Sequence, residues 1–265
     1  MNIQQRYLQS NKDAWNKRTA VHIDSDFYNV NGFKGQSSLN ETELALLGDV
    51  KGKKILHLQC HFGQDSLSLA RMGAQVTGVD LSDRAIDKAK ELNIALGLDA
   101  RFICSDVYTL PEQLNEQFDI VFTSYGVIGW LPNLQRWGTI IDTFLKKGGR
   151  FIFAEFHPVV WMFDNEFTRF QYSYFNTEAI VEQSSGTYTD RKADIQYEEI
   201  SWNHSLAEVF AGLLQNGLTI TGFWEYDFSH YNCFTGMVQT GERKYIIGSL
   251  GDKVPLMYAI TAEKK

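Results

Sequence analysis

Polar residues stand at the ends of four successive apolar segments, where a binding site at a sheet edge would need them. They are the loop Gln59–Gly63, Asp80, Asp106 and the pair Ser124–Tyr125. An acidic residue at the end of a second strand can accept hydrogen bonds from two ribose hydroxyls. Asp80 lies 17 residues after Gly63, near the offset of about 20 residues that dinucleotide-binding folds show. These residue types and spacings predict a site for a nucleoside.

The glycine content of the loop limits the kind of nucleoside compound. Neither G-x-G-x-x-G nor G-x-x-x-x-G-K-[ST] occurs there, and Gly63 is the only glycine in the loop. Those glycines allow backbone amides to approach a pyrophosphate or a triphosphate. We therefore expect an adenosine cofactor without phosphates.

Short apolar runs alternate with helical patterns from residue 53 to residue 156, which is typical of a parallel sheet with crossover helices. The predicted strands are Lys54–Leu58, Gln75–Asp80, Arg101–Cys104, Asp119–Thr123 and Arg150–Glu155. The predicted helices run from Asp65 to Gly73, from the N-cap Ser82 to Gly97, and from Leu134 to a stop at Gly148–Gly149. Because such crossovers are right-handed, the carboxyl ends of the five strands should share one edge, where ligands of open α/β sheets bind.

The pattern changes after Pro158, where aromatic residues become frequent. The stretch RFQYSYF alternates polar and aromatic side chains, which predicts antiparallel strands. The sheet pattern then resumes with a helix at 205–215 and strands at 218–225 and 255–261. We therefore predict an N-terminal helical segment (1–50) over the cofactor site, an α/β core (51–158 and 203–265), and an inserted aromatic cap (159–202).

Composition excludes some classes of partner. The chain has 265 residues, a net charge of −7 and no basic run, so nucleic acid is not expected as a partner. The N-terminus lacks an apolar signal core and no window reaches membrane-spanning length, so no membrane association is expected. Three cysteines without a C-x-x-C pair favour reduced thiols and a cytoplasmic protein.

Several stretches, taken in order, resemble the class I S-adenosylmethionine-dependent methyltransferases. LHLQCHFG resembles their motif I, with His57 at the acidic position and Gln59, His61 and Gly63 at the three glycine positions. VTGVDLS and CSDV resemble the second strand and the adenine-edge motif, and FDIVFTSYGVIGWLPNLQRW and LKKGGRFIFAEF resemble the fourth strand and the helix–glycine–strand after it. The altered loop is similar to that of a bacterial subgroup of small-molecule methyltransferases.

The resemblance implies an α/β, Rossmann-like fold with a mainly parallel seven-stranded sheet flanked by helices. It implies S-adenosylmethionine as cofactor and in-line methyl transfer to a small-molecule acceptor, by a monomer or a homodimer. It also implies a set of cofactor-binding residues: Trp15, Tyr28, Gln59, Cys60, His61, Gly63, Asp80, Leu81, Asp106, Val107, Ser124 and Tyr125. The acceptor pocket is expected at Trp130, His157, Trp161 and Tyr172.

The chemistry leaves several alternatives open. His157 and His204 are candidates for a general base, which is needed only if the acceptor must lose a proton. His57, Cys60 and His61 are metal-ligand types, but no fourth ligand is evident and no metal is expected.

Each predicted cofactor residue also has a structural interpretation. Asp80 could cap the next helix together with Ser82, and Asp106 could be an ordinary loop carboxylate. Trp15 and Tyr28 could simply anchor the N-terminal helix. At the level of function, the alternatives are a non-catalytic protein that binds the cofactor or its demethylated product, and a nicotinamide oxidoreductase, which the missing pyrophosphate loop disfavours.

Overall fold

A computed structural model describes residues 3–265 of the chain. Its α-helices are α1 (Ile3–Ile23), α2 (Glu41–Leu47), α3 (Gln64–Arg71), α4 (Asp83–Ala95), α5 (Leu134–Phe144) and α6 (Leu206–Leu214). Its strands are β1 (Lys54–Leu58), β2 (Gln75–Asp80), β3 (Arg101–Cys104), β4 (Phe118–Ser124), β5 (Leu145–Phe156), β6 (Ile180–Ser185), β7 (Gln196–Ser201), β8 (Leu218–Tyr226), β9 (Met237–Gly241), β10 (Lys244–Ile247) and β11 (Met257–Lys264).

Seven strands form one sheet in the order β3-β2-β1-β4-β5-β11-β8. Strands β1 to β5 pair in parallel, and β11 pairs antiparallel with both β5 and β8. Two antiparallel hairpins, β6–β7 and β9–β10, stand apart from this sheet. The predicted fold class, a mainly parallel seven-stranded α/β sheet with an added antiparallel element, is confirmed.

Apolar side chains alternate along the central strands and bury both faces of the sheet. In β5, Phe151 and Phe153 pack with Trp137 of α5, whereas Ile152 packs on the opposite face. That opposite face is covered by residues of α2, α3 and α4, such as Leu67. Both faces of the central strands are therefore covered by packed side chains. The ends of the strands are the part of the sheet that remains open to a ligand.

Two predictions about secondary structure are wrong, one about the end of a helix and one about a strand. The helix expected to stop at Gly148–Gly149 ends at Phe144, because β5 already begins at Leu145, which pairs with Phe118. RFQYSYF forms no strand in the described chain; it has one isolated bridge, between Phe163 and Phe170, because no neighbouring strand lies alongside to continue the pairing. The antiparallel hairpin of the cap lies later, at β6–β7.

A second hairpin between β8 and β11 was not predicted at all. Strands β9 and β10 pair with each other, and Ser229 bridges to Tyr245. Side chains from this segment, including Cys233 and Phe234, join a cluster with Phe156 and Phe167. The aromatic covering of the sheet edge therefore has two sources, the cap and this second hairpin.

Helix α1 is held against the β6–β7 hairpin. The Arg18 guanidinium forms an ion pair with Glu199 of β7, and Arg18 Nε donates to Tyr197 Oη at 2.9 Å. Asn11 Nδ2 donates to the carbonyl of Ile200 at 2.8 Å. The N-terminal helix and the cap hairpin therefore form one continuous covering.

Candidate functional site

A cavity of about 880 Å³ opens at the carboxyl ends of β1 to β5. Its walls come from α1 and the segment after it, the loops that follow the strands, the cap, and the second hairpin. Ligand sites commonly have volumes of about 300–1,000 Å³, so this cavity lies at the large end of the range. It is large enough to consider a nucleoside cofactor together with a second small molecule.

The loop after β1 has a glycine-like backbone at three positions, although only one of them is glycine. Gln59, His61 and Gly63 have φ angles of 56°, 52° and 77°, all in the left-handed region. Left-handed backbone is routine for glycine and uncommon for other residues. Gln59 and His61 therefore adopt, together with Gly63, the conformation that glycine favours.

The two bulky side chains of this loop are held in place. Gln59 Nε2 donates to the carbonyl of Val127 at 2.8 Å, which ties the loop to the segment after β4. The His61 imidazole packs between Trp15, Tyr28 and Phe62, with ring centroids 5.5, 5.2 and 4.1 Å away. Gln59 Oε1 and His61 Nδ1 are buried without a hydrogen-bond partner in the described chain. Both residues line the cavity, and each has a buried polar atom without a partner in the described residues.

Asp80 lies where a ribose acceptor is expected. Its Oδ2 accepts a hydrogen bond from the His61 amide at 2.7 Å, and its Oδ1 accepts one from the Ser82 amide at 2.9 Å. Burial raises the pKa of this carboxyl group to about 6. Each carboxylate oxygen can accept more than one hydrogen bond. Asp80 can therefore hold the backbone at the start of the next helix and still accept a hydrogen bond from a ligand hydroxyl.

Asp106 lies beyond β3 on the same edge. Its Oδ2 accepts from the Tyr108 amide at 3.1 Å and caps a short 3-10 helix, Val107–Glu112. Burial raises the pKa of Asp106. Asp106, Val107 and Leu81 all line the cavity, so the structure brings together the residues predicted for the nucleoside end.

An aromatic wall closes the cavity on the side of the N-terminal segment. Trp15 lies edge-on to both His61 and Trp130, at 5.5 Å in each case, and the Arg18 guanidinium lies over both indole rings. Tyr28 Oη and Tyr188 Oη are 2.5 Å apart. Trp15 and Tyr28 therefore anchor the segment and also line the cavity, while their contact with a cofactor stays a prediction.

A buried carboxylate orders the loop after β4. Glu155 of β5 accepts hydrogen bonds from the amides of Gly126, Val127 and Phe156, the last two at 2.8 and 2.7 Å. Trp130 Nε1 donates to the Gly126 carbonyl at 2.7 Å. The tight turn that results presents predicted site residues to the cavity, which are Ser124, Tyr125 and Trp130.

Three of the four predicted acceptor residues line the cavity. Trp130, Trp161 and Tyr172 line the cavity, and the Tyr172 hydroxyl donates to Glu182 Oε1 at 2.7 Å. Cys60, predicted as a cofactor-binding residue, also lines the cavity, but its thiol is buried against Gly78, where an added Cβ would lie 2.9 Å from the sulfur. Cys60 is therefore a packing residue under the loop.

The two histidines considered as general bases lie elsewhere. His157 is not among the residues that line the cavity; its Nε2 is 3.0 Å from Oε1 of Glu225 in β8. His204 lines a separate small crevice, and its Nε2 is 2.8 Å from the Leu131 carbonyl. Both imidazoles have structural partners. The structure therefore does not bring His157 or His204, the predicted bases, to this cavity, and it does not bring His157 there as an acceptor contact.

The cavity also contains residues that sequence reasoning missed. They are Arg18, Asp65, Glu155, Tyr188, Tyr231 and Arg243. Asp65 is an acidic residue in the first turn of a helix, which is so common that it gives no functional signal. Glu155 lies in a predicted core strand, where a buried carboxylate could not be foreseen. The other four come from the covering segments, whose placement over the sheet could not be inferred from the sequence pattern.

Residues 3–265 contain neither a metal-ligand cluster nor a membrane-spanning helix. No group of three or more His, Cys, Asp or Glu side chains converges in a way that could hold a metal ion. No helix in this range combines the length and apolar character needed to cross a lipid bilayer.

Comparison with known proteins points to one kind of domain. Residues 55–149 match a methyltransferase domain. A ubiquinone biosynthesis O-methyltransferase of Coxiella burnetii is 34% identical over 105 residues, which are 40% of this chain and 44% of the relative. The chain thus spans about half the length of the curated relatives it matches.

Solved structures share the fold over most of the chain. An S-adenosylmethionine-dependent methyltransferase of Clostridium acetobutylicum has a TM-score of 0.59 at 16% identity, covering 95% of this chain and 99% of that one. A putative S-adenosylmethionine-dependent methyltransferase of Listeria monocytogenes has a TM-score of 0.56 at 20% identity, covering 84% and 97%. The fold of this chain is the Rossmann-like fold of these enzymes.

Proposed function

We propose that this protein transfers a methyl group from S-adenosylmethionine to a small-molecule acceptor. One observation carries the proposal. The loop after β1 holds glycine-like φ angles at Gln59, His61 and Gly63, beside the carboxylates of Asp80 and Asp106, at one edge of a large cavity. This combination suits an adenosine compound that carries no phosphates.

The residues present fit such a cofactor. Asp80 would accept from the ribose hydroxyls, and Asp106 would accept from the adenine amino group, with Leu81 and Val107 beside the ring. The buried and unpartnered atoms Gln59 Oε1 and His61 Nδ1 supply further polar positions in the loop. No phosphate-binding glycine set accompanies them, which disfavours a nicotinamide dinucleotide.

Electrostatics favour a positively charged ligand in this cavity. Burial lowers the pKa of His22 to about 2 and the pKa of His61 to about 3, so both imidazoles are neutral near pH 7. The aromatic faces of Trp15 and Tyr28 are favourable neighbours for a sulfonium cation. The one lining cation of this wall, Arg18, is neutralised by Glu199.

The sulfonium of the bound cofactor supplies the methyl group in an activated form, so the protein has to align the reactants and exclude water. The Glu155-ordered turn fixes Tyr125 and Trp130, while α1 and the β6–β7 hairpin cover the cavity. A general base is required only for an acceptor that must lose a proton. With His157 and His204 outside the cavity, an acceptor with an available lone pair fits best.

The acceptor is expected to bind among residues that lie outside the matched methyltransferase domain. The cap and the second hairpin contribute Trp161, Tyr172, Phe234 and Arg243 to the cavity, and none of these falls within residues 55–149. The acceptor of the Coxiella relative therefore does not transfer to this chain. The aromatic and cationic lining favours a small acceptor with a flat or apolar part and an anionic group.

The direct test is transfer of a labelled methyl group into a metabolite extract. The purified protein and S-adenosylmethionine with a labelled methyl group should produce one or a few labelled small molecules. Formation of S-adenosylhomocysteine should match the label incorporated. Boiled protein provides the control. Tight binding of the cofactor without any transfer across extracts would instead support a non-catalytic binding protein, the second candidate.

A further inference from the structure

Two polar side chains near the end of β4 have buried atoms without hydrogen-bond partners. Tyr125 follows Ser124, the last residue of β4, and lines the cavity. Its Oη is buried and accepts or donates no hydrogen bond within residues 3–265. Glu43, in the first turn of α2, is 0% exposed and is not part of the cavity wall. Its Oε2 is also buried and unpartnered in that range, so both atoms have unused hydrogen-bonding capacity.

Contacts join Glu43 to the wall of the cavity. Asn40 Nδ2 donates to Glu43 Oε1 at 2.9 Å and to Tyr231 Oη at 3.1 Å. Tyr231 lines the cavity, and its ring centroid lies 5.1 Å from that of Tyr125. Burial raises the pKa of both Tyr125 and Glu43; in addition, the charge of Glu43 raises the pKa of Tyr125, and the Tyr125 hydroxyl acts to lower that of Glu43. The Tyr125 hydroxyl therefore lies between the Glu43 carboxyl group and the cavity.

Glu43 is the member of this pair that changes charge near neutral pH. Burial, with the nearby charge of Asp65, raises its pKa to about 7. The other titratable groups that face it are Tyr226 and Tyr231, which are uncharged at that pH because burial raises their pKa values. Burial also raises the pKa of Tyr125, so its hydroxyl keeps its proton. A hydroxyl beside a carboxylate that ionises near pH 7 can pass a proton inward.

The strand order places Tyr125 in the part of the cavity that is left for the acceptor. Asp106 follows β3 and Asp80 ends β2, so a nucleoside held there occupies that side of the edge. Tyr125 follows β4, beyond β1, and the cavity there is also lined by Trp161 of the cap and Phe234 of the second hairpin. In-line transfer requires the acceptor to lie beyond the methyl group, so the acceptor reaches the part of the cavity that Tyr125 lines.

We propose that Tyr125 and Glu43 form a proton relay and that the acceptor is a hydroxyl compound. This inference rests on the proposed function. The relay supplies the base that His157 and His204 do not. A hydroxyl is the acceptor that needs one, because it would become an unstable oxonium if it kept its proton, whereas a neutral amine would form a stable ammonium.

The step balances in atoms and charge. The acceptor oxygen attacks the methyl carbon with a lone pair, the carbon–sulfur bond breaks, and the sulfur keeps the electron pair of that bond. The hydroxyl proton of the acceptor passes to Tyr125 Oη while the Tyr125 proton passes to Glu43 Oε2. The products are a methyl ether, a neutral thioether and an uncharged Glu43. After the ether leaves, the proton returns through Tyr125 to water that enters the cavity.

The first test follows labelled methyl transfer into a dilute metabolite extract with saturating S-adenosylmethionine. The ratio of the wild-type rate to the Glu43→Gln rate should be about a hundredfold or more at pH 8. It should rise about tenfold between pH 6 and pH 8, as the ionised fraction of a group with a pKa of about 7 does. Glu41→Gln, at an exposed position of the same helix, is the matched control and should stay within about twofold of wild type.

A carbon-13 label in the transferred methyl group identifies the acceptor atom. Nuclear magnetic resonance of the products should show methyl ethers. Methyl groups on nitrogen, carbon or sulfur would overturn the assignment of a hydroxyl acceptor, and a rate ratio that does not change with pH would overturn the relay.

The second test needs no acceptor. The difference between infrared spectra of wild type and Glu43→Gln should show a carboxylic acid band that disappears near pH 7. Tyr125→Phe should move this disappearance to higher pH, because the Tyr125 hydroxyl lowers the pKa of Glu43. An unchanged midpoint would show that the two groups are not in contact and would overturn the relay.

Cofactor binding separates failure of the relay from failure of the proposed function. Isothermal titration of S-adenosylhomocysteine should give affinities within about twofold for wild type and Glu43→Gln, because Glu43 is not part of the cavity wall. Binding weakened about tenfold or more by Glu43→Gln would mean that the variant disturbs the cofactor site, and would overturn the relay. Failure of wild type to bind the cofactor, or to transfer a methyl group at any pH, would contradict the proposed function itself.

Discussion

At the scale of single residues, burial decides which charges the cavity presents. Three imidazoles around it, those of His22, His57 and His61, have lowered pKa values, the largest cause in each case being burial. Burial raises the pKa of Asp80 to about 6, and it also raises the pKa of Asp65 and of Asp106, which line the cavity too. The site therefore combines neutral histidines with carboxyl groups that lack cations, which suits a cationic ligand.

Glu43 gives a prediction about pH. This side chain is buried in α2, and its Oε1 accepts from Asn40 Nδ2 at 2.9 Å. Burial, with the nearby charge of Asp65, raises its pKa from 4.5 to about 7. The folded state therefore holds this proton up to about pH 7, while the unfolded chain releases it near pH 4.5. For this group, the free energy of unfolding falls as the pH rises between those values.

Glu43→Gln removes that loss. We expect the free energy of unfolding of the variant, minus that of wild type, to rise by about 2 kcal/mol between pH 5 and pH 8. Urea unfolding of both proteins at several pH values measures this difference in the free energy of unfolding. Other titrating groups contribute equally to both proteins, so their contributions cancel in the difference. Glu41→Gln in the same helix is exposed and should show a flat difference. A flat difference for Glu43→Gln would show that Glu43 is ionised at pH 5 in the folded protein.

The sequence predicts single residues well where a strand fixes them. Asp80 and Asp106 follow predicted strands, so their common edge follows from topology. Asp65 was not predicted, because acidic residues in a first helical turn are common. His157 and His204, the predicted bases, do not line the cavity, because proximity along the chain to a sheet edge does not determine where a side chain points.

At the scale of elements, the turn from β1 into α3 depends on Gly63, the only glycine of the Gln59–Gly63 loop. Gly63 has a φ of 77°, and a Cβ added there would lie 2.6 Å from Cε1 of Phe102. Gln59 and His61 adopt similar φ angles with side chains, so backbone conformation alone does not require glycine at 63. The close approach of the Phe102 ring does.

This distinction can be measured with two glycine variants. Gly63→Ala should lower the free energy of unfolding by about 2–4 kcal/mol, the sum of left-handed strain and overpacking. Gly97→Ala is the matched control, since Gly97 has a φ of 63° with nothing within 4 Å of an added Cβ. It should lose only about 1 kcal/mol. Equal losses in urea unfolding would show that the Phe102 contact is unimportant.

Among the elements, the parallel core could be predicted and the covering could not. Strands β1 to β5 are short apolar runs separated by amphipathic helices, a pattern that tertiary structure rarely overrides. The β9–β10 hairpin pairs within itself and has one isolated bridge, to Ser229. Its residues are mostly half-exposed or exposed, so it lacks a strong hydrophobic pattern. RFQYSYF has the alternation of a strand, but a strand also requires a partner.

At the scale of the whole molecule, α1 and the β6–β7 hairpin close the cavity together. Two ion pairs join them, Arg18 with Glu199 and Arg6 with Glu198. The side chains of the first pair are 10% and 12% exposed, whereas those of the second are 46% and 21% exposed. The buried pair should contribute much more to holding the covering in place, because its loss would leave an unpaired buried charge.

We therefore expect Arg18→Gln to lower the free energy of unfolding by about 3 kcal/mol. Arg6→Gln at the exposed pair should lower it by less than about 1 kcal/mol. Chemical denaturation of the two variants at one pH measures both values. Similar effects of the two substitutions would mean that the interface between α1 and the hairpin does not depend on the buried pair.

The central claim is that the sheet edge binds a phosphate-free adenosine cofactor, with Asp80 as its ribose acceptor. Isothermal titration of S-adenosylhomocysteine into wild type and Asp80→Asn tests it most directly, with the exposed Asp87→Asn as control. We predict saturable one-site binding by wild type and Asp87→Asn, and about tenfold or more weaker binding by Asp80→Asn. No binding by wild type, or equal affinity in all three proteins, would contradict the claim.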